Sequence, residues 1–482
     1  MRSLSQSRLY SGASLILLFA WAVLWPAHAS AEQVIVAVTN LTVIDPGKGK
    51  SKPKQTVLIS GERIAEVGRS SRVNLPANTR MVDGTGKFLI PGLWDMHAHL
   101  EEDFSKTNDL LLYIANGVTG VRIMWGAPTH HKWRKLIDAG ELVGPRMLIG
   151  SRIVDGPKPA WPGSITAANE AEGRQAVRKA KQEDADFIKV YDLLPREAYF
   201  GIADEAKKQN IPFEGHLPHA ISIEEASRAG QKSIEHLTGI IRGCSSREGE
   251  ISKELRKGFD LGTPDTNALA RLRANARLAL ETYSPAKAKK IFAVLKQNQT
   301  WQCPTFTVLH GMAFMDEPSL TNDFRLKYIS RDIRAGWNPE RFFRFARSPG
   351  DVVLEQDYFH KQLEVVGAME GAGVPILAGT DTPNPWCFPG FGLHDELAWL
   401  AQARLTPMQA LQAATLNPAR FMGRDKELGT VEKGMLADLV LLDANPLEDI
   451  HNTTRIRAVF ANGRFYDRAT LDAFLHAAES KD

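Results

Sequence analysis

Two histidines separated by a single alanine, His97 and His99, close the apolar stretch "FLIPGLWDMHAHL" at residues 88–100. Alternate residues of a strand share a face, so both imidazoles project to one side while Ala98 faces the other. Adjacent neutral imidazoles suit a divalent metal ion. A lone pair of this kind fits a strand end with backbone-bonded rings equally well, so the motif needs partners elsewhere. Four further residues with chemical capacity end apolar segments: Lys189 in "FIKVY", His216 in "FEGHLPHA", His236 in "SIEHLTG" and Asp381 in "AGTDTPNP". Singly, each has a plainer account: a lysine stem lying along a sheet, a hydrogen-bonded core histidine, an Asx turn.

Bringing six distant residues together requires a frame, and the middle of the chain supplies the pattern for one. Eight strand-like segments begin near residues 88, 117, 146, 187, 211, 232, 301 and 374, separated by helical patterns such as "NEAEGRQAVRKAKQE", "PREAYFGIADEAKKQ" and "SIEEASRAG". This alternation predicts an α/β fold built as a (β/α)8 TIM barrel, in which chemistry collects at the C-terminal ends of the strands. The intervals from Lys189 to His216 and from His216 to His236 each fit one helix plus one strand. A doubly wound open sheet competes, but no glycine-rich phosphate loop follows the first strand. Both ends of the chain are β-rich, which predicts a small β-sandwich domain formed by residues 32–90 and 423–482 around a barrel at 91–422. Helical segments at 240–300 and 309–360 exceed what a simple barrel needs, and are candidates for a lid or a specificity element.

The 482 residues, 43% hydrophobic and 24% charged, are those of a globular chain. Residues 1–31 carry Arg2 and Arg8, an apolar run from about Ala13 to Trp25, and small residues suited to cleavage near Ala29 or Ala31. They read as a signal peptide, so a periplasmic or secreted protein is expected. The run is shorter than the ~20 residues of a membrane span, and no later stretch is long and apolar enough to be one. Without Arg2 and Arg8 the formal charge of +3 falls nearly to neutral, which leaves no footprint for nucleic acid. Cys244, Cys303 and Cys387 are too few for a disulfide scaffold, and none has CxxC spacing.

The order HxH, Lys, His, His, Asp, with "LIPGLWDMHAHL", "EGHLPHA", "LAGTDT", "LTPMQALQAATLNPARFMG" and "GTVEKGMLADLVLLDANPLEDI" around it, resembles the amidohydrolase superfamily, in its imidazolonepropionase-like and prolidase-like (Xaa-Pro dipeptidase-type) branch. The resemblance runs from about Val34 to Tyr466. It implies a hydrolase with two divalent metal ions, zinc first among them. His97, His99 and Asp381 would hold one ion, His216 and His236 the other, and a carboxylated Lys189 would bridge them. A free ammonium has no lone pair to offer, whereas a carbamate adds charge and two oxygens. Metal-activated hydroxide would attack the amide of a dipeptide or N-acyl amino acid, with Asp381 moving the proton.

Around this set, Tyr191 shares a strand face with Lys189 and is a candidate for stabilising the oxyanion. His219 is a candidate for catalysis or substrate holding. Arg122 is divided between a substrate carboxylate and a structural ion pair, Trp386 is placed at the mouth with Cys387, and His130 and His131 at a helix-start surface. The rivals are a mononuclear deaminase or cyclic-amidine hydrolase, a lactone or phosphoester hydrolase, and an inactive metal- or ligand-binding barrel. The expected partner is a small-molecule amide, and a homo-oligomer is compatible with the sequence.

Overall fold

β-Branched residues and turn glycines divide the first described stretch into strands β1 (Ile35–Asp45), β2 (Lys50–Ser60), β3 (Arg63–Arg69), β4 (Arg80–Asp83) and β5 (Phe88–Pro91). The structure is a computed structural model describing residues 35–100, 102, 108–256, 266–315, 317–337 and 347–480. Residues 1–31, expected to be a signal peptide, lie outside the described residues, as do 257–265 and 338–346 within the two expected insertions.

Nine short strands follow: β6 (Leu93–Ala98), β7 (Val118–Ile123), β8 (Arg146–Ile149), β9 (Val154–Asp155), β10 (Ile165–Thr166), β11 (Ile188–Val190), β12 (Phe213–Gly215), β13 (Ser233–Glu235) and β14 (Trp301–Cys303). β15 (Leu439–Leu442), β16 (Ile456–Ala461) and β17 (Arg464–Asp467) end the series. The last three join the first five in one eight-stranded sheet of order β17-β16-β15-β5-β1-β2-β3, with β4 on β1. Leu89 of β5 is the junction: it pairs in parallel with Val43 of β1 and antiparallel with Leu441 of β15. Val38, Val57, Leu439, Leu441 and Phe460 pack together beneath it, so both chain ends share one core. The expected joining of the termini is thus seen, with the ladders forming one continuous sheet.

The central strands are parallel. β6-β7-β8 form one ladder and β10-β9-β11-β12-β13-β14 another. Isolated parallel bridges connect Gly150 with Phe187, Gln302 with Ile376, and Ala98 with Thr382. Every residue of β6 and β7 is buried, as expected of parallel strands covered on both faces. Gly120 on β7 permits that packing, since a Cβ there would lie 2.2 Å from the ring of Trp94 on β6. The segment predicted as the eighth strand, 374–381, departs from regular pairing. It holds its place by donating from Leu377 N to Gln302 O and by accepting at Ala378 O from Met96 N, before Asp381 turns to φ 67°.

The intervening helices stop and start where their sequences say they should. Asn169 caps Glu170–Gln182 by accepting from Glu172 N, and a Ser222–Glu225 capping box opens Ile223–Ala229. Asn210 and Gly230, both left-handed, end Arg196–Gln209 and Ile223–Ala229. None of the helices among the described residues is long and apolar enough to cross a membrane.

Candidate metal centre

Strand periodicity delivers the first two residues. His97 lies in β6, fully buried, and His99 one residue beyond its end, with ring centroids 5.5 Å apart. Both present Nε2 to Oδ1 of Asp381, at 3.2 Å for His97 and 3.0 Å for His99. These three residues form a group compact enough to hold a metal ion. His236, just after β13, lies 4.5 Å ring to ring from His97 and 4.7 Å from His216, which follows β12. Lys189 on β11 and Tyr191 just after it line the same cavity of about 500 Å³. The structure therefore brings His97, His99, Lys189, His216, His236 and Asp381 to one place.

Each of three imidazoles is fixed from behind. His97 Nδ1 donates to Glu235 at 2.8 Å, His216 Nδ1 to Asp192 at 3.0 Å, and His236 Nδ1 to Thr305 Oγ1 at 2.6 Å. Thr305 spends its own hydroxyl proton on Pro304 O, which leaves its oxygen to accept from His236. Engaging Nδ1 in this way sets the tautomer and leaves the Nε2 lone pair facing the cavity, which is how metal-ligating histidines are held. His97 Nε2 is buried without a hydrogen-bond donor to satisfy it. That lone pair, with imidazole nitrogens and a carboxylate around it, fits zinc, and manganese or cobalt as well.

Electrostatics point the same way. Burial raises the Asp381 carboxyl, but the imidazoles of His236 and His97 outweigh it and hold the group well below the usual carboxylate range. Burial also lowers His236, which keeps it neutral and able to donate its lone pair. Lys189 is 1% exposed and burial pushes its ammonium down to about 8. Among the described residues no carboxylate lies within ion-pair distance of its Nζ, an expensive position for a permanent cation.

The backbone is strained here too. His236, Thr305 and Asp381 have φ of 56°, 54° and 67°. Such left-handed conformations in non-glycine residues cost on the order of 1–3 kcal/mol each and persist where the surroundings over-determine them.

Four supporting residues escaped the sequence reading: Glu235, Asp192, Thr305 and Asp95, the last accepting from His97 N, Thr380 N and Thr380 Oγ1. Two lie beside residues already singled out, Asp192 after Tyr191 and Glu235 before His236. The strand alternation that sends Glu235 to the opposite face from His236 sends it toward His97.

Other expectations are corrected. Arg122 is fully buried and bonded through Nη1 to Glu214 at 2.7 Å and through Nη2 to Glu235 at 2.8 Å, so it is a structural ion-pair partner without access to substrate. Trp386 is not among the residues lining the metal cavity; its ring packs 5.3 Å from that of Trp337. His130 is buried, accepting from Ala127 N and facing Leu100 O, because its ring folds back over the start of its own helix; neighbouring His131 remains half-buried. Cys387 is buried, and all three cysteines are free. His219 lies beyond His216 and lines an adjoining cavity.

Residues 304–465, which include Asp381 and most of the C-terminal strands, match the amidohydrolase family. The ochratoxinase of Aspergillus niger is 25% identical over 486 aligned residues, covering 88% of this chain and 84% of its own. Among solved structures, a bottromycin amidohydrolase is similar with a TM-score of 0.72 at 24% identity, over 92% of this chain and 90% of that one. A Xaa-Pro dipeptidase with methionine bound in its active site follows at TM-score 0.66 and 18% identity, over 90% and 100%. At these identities the structural likeness speaks for the fold. Residues 304–465 therefore match the amidohydrolase family, in keeping with the motifs of the chain, and the protein is an enzyme of the hydrolase class.

Proposed function

We propose that this enzyme hydrolyses the amide bond of an N-acyl amino acid or dipeptide at a two-metal centre, zinc first among the candidate ions. The carrying observation is the set of anchored imidazoles, His97, His216 and His236, which line one cavity together with Asp381 and a buried, unpaired Lys189. In this reading the parallel strands and bridged segment 374–382 are the staves of a (β/α)8 barrel spanning residues 91–422. A small β domain of residues 32–90 and 423–482 stands on it. Residues 1–31 are a leader removed on export to the periplasm or beyond.

His97, His99 and Asp381 would hold one ion, and His216 and His236 the other. Lys189, carboxylated, would bridge them, since its buried amine is held near the pH at which a neutral form exists to react with carbon dioxide. Divalent ions supply Lewis acidity and lower the pKa of water toward neutrality. The remaining work falls to the chain. Asp381, ionised in its surroundings, accepts the proton from attacking water and returns it to the leaving nitrogen. Tyr191 accepts at Oη from Trp161 Nε1 at 2.8 Å, which leaves its own hydroxyl proton free to donate to a developing oxyanion. Asp192, Glu235 and Thr305 keep the three imidazoles in the required tautomer.

The test is metal content per chain, with a panel of N-acyl amino acids and dipeptides hydrolysed by wild type and Lys189→Ala. About two ions in the wild type, falling together with amide cleavage in the variant, support the reading. A single ion and full activity without Lys189 would move the assignment to the mononuclear deaminase type.

A further inference from the structure

Beside the metal site lies a second cavity, of about 490 Å³. Asp192, His236, Thr238, Leu309 and Met312 line both, so the two spaces are contiguous. The farther walls come from both helical insertions and are chiefly aliphatic, with Ile251, Leu272, Ala279 and Leu354 among them. A space of this size and lining takes a large apolar group.

One side chain in the wall is out of keeping with it. Arg242, six residues after His236, is 5% exposed. Its Nη1 donates to His219 O at 3.2 Å and its Nη2 to Ile221 O at 3.0 Å, while Nε has no partner. A guanidinium has five N–H donors, and carbonyl oxygens do not neutralise it. Among the described residues no carboxylate pairs with Arg242. Asn275 Nδ2, 8% exposed at the residue level and on the same cavity, is also without an acceptor. Arg273, a second arginine of this wall, differs: Asp351 at 2.9 Å and Glu355 at 3.6 Å already answer its charge. Glu248 and Asp192 act on Arg242 only from beyond ion-pair distance, and a buried cation with no counter-charge in contact is costly unless a ligand supplies one.

We infer that this cavity binds the amino-acid half of the substrate, a large apolar side chain lying against the aliphatic wall and a free carboxylate on Arg242. The inference rests on the amide-hydrolase reading above and narrows it to amides that release a bulky apolar amino acid. Arg242 is then a specificity residue that acts on binding.

The test measures binding of 4-phenylbutanoate and its primary amide to the metal-loaded full chain by calorimetry. Wild type should bind the carboxylate at least about tenfold more tightly than the amide, the difference that one charge-assisted contact makes. Arg242→Gln should abolish that preference while keeping the amide's affinity, and Arg242→Lys should restore part of it. Ala279→Phe, which fills the cavity without changing charge, should weaken both ligands and carries the test if Arg242→Gln fails to fold. His97→Asn should leave both affinities intact. Equal binding of acid and amide by wild type overturns the inference, as does loss of the preference in His97→Asn but not in Arg242→Gln, because the carboxylate would then sit on the metals. Failure of the hydrolase reading looks different: probe binding intact, and no amide cleaved.

Discussion

His97 donates from Nδ1 to Glu235 across 2.8 Å, and neither residue has any exposed side-chain surface. Glu235 also accepts from Ser233 and pairs with Arg122, which in turn holds Glu214. One carboxylate therefore orients a candidate metal ligand and neutralises a buried guanidinium. Glu235→Gln should lower metal affinity by about 10–100-fold, the usual cost of losing a ligand's supporting partner. It should also destabilise the fold by about 3–5 kcal/mol by leaving Arg122 under-compensated. Chelator competition and denaturant unfolding read the two effects separately; unchanged metal affinity would show that Glu235 serves the fold alone.

Lys189 gives a chemical prediction. If its amine carries a carbamate, protein stripped of metal at low pH in carbon dioxide-free buffer should recover little metal and activity on adding the ion alone. Bicarbonate added with the ion should restore both. In Lys189→Ala, short carboxylic acids should partly replace the missing carboxylate. Full recovery by the ion alone in carbon dioxide-free buffer would rule out the bridge.

Tyr191 stacks on His216 with centroids 3.9 Å apart and is positioned by the indole of Trp161. Burial raises its pKa well above the ordinary value, so it stays a donor through the working pH range. Tyr191→Phe keeps the ring and removes the donor. We expect kcat to fall by about 10²–10³ with KM little changed, the size expected for one oxyanion donor. Trp161→Phe, which only frees the phenol, should produce a smaller fall. Equal rates in wild type and Tyr191→Phe would exclude the role.

Much of the site was legible because strand alternation and strand-helix alternation are periodic, and periodic signals survive in a single sequence. They located His97, His99, Lys189, His216 and His236 at strand ends, and placed both β-rich ends of the chain in one small domain, though as a sandwich rather than the single continuous sheet that forms. What stayed hidden depends on contacts between distant residues. Nothing local to Arg122 says that Glu214 and Glu235 will take both ends of its guanidinium. The eighth segment was legible as apolar but not as irregular, because its path is set by the turn at Asp381. The cavity beside Arg242 is likewise formed by helices far apart in sequence, whose helical pattern was visible and whose meeting was not.

The helix Phe391–Gln402 carries two buried groups that should bend stability with pH in opposite directions. His394 is held neutral by burial, with a pKa lowered to about 4, between Thr453 Oγ1 at 2.9 Å and Asn116 O at 3.0 Å. Its unfolded value is about 6.5. Its contribution is therefore full above pH 6.5 and is lost as pH falls through 6.5 toward 4, by about 3 kcal/mol in all. Glu396, raised to about 8 by burial, accepts from Thr307 N at 2.8 Å and from Thr307 Oγ1 at 3.1 Å. Its unfolded value is about 4.3, so the folded chain keeps a proton the unfolded chain has lost. Its contribution is full below that value and is lost as pH rises toward 8. His394→Gln should accordingly flatten the acid limb of a stability–pH curve, and Glu396→Gln the alkaline one. Urea midpoints at half-unit steps from pH 4 to 9 would test both; parallel curves for wild type and either variant would show that the replaced group does not titrate in the folded chain as described.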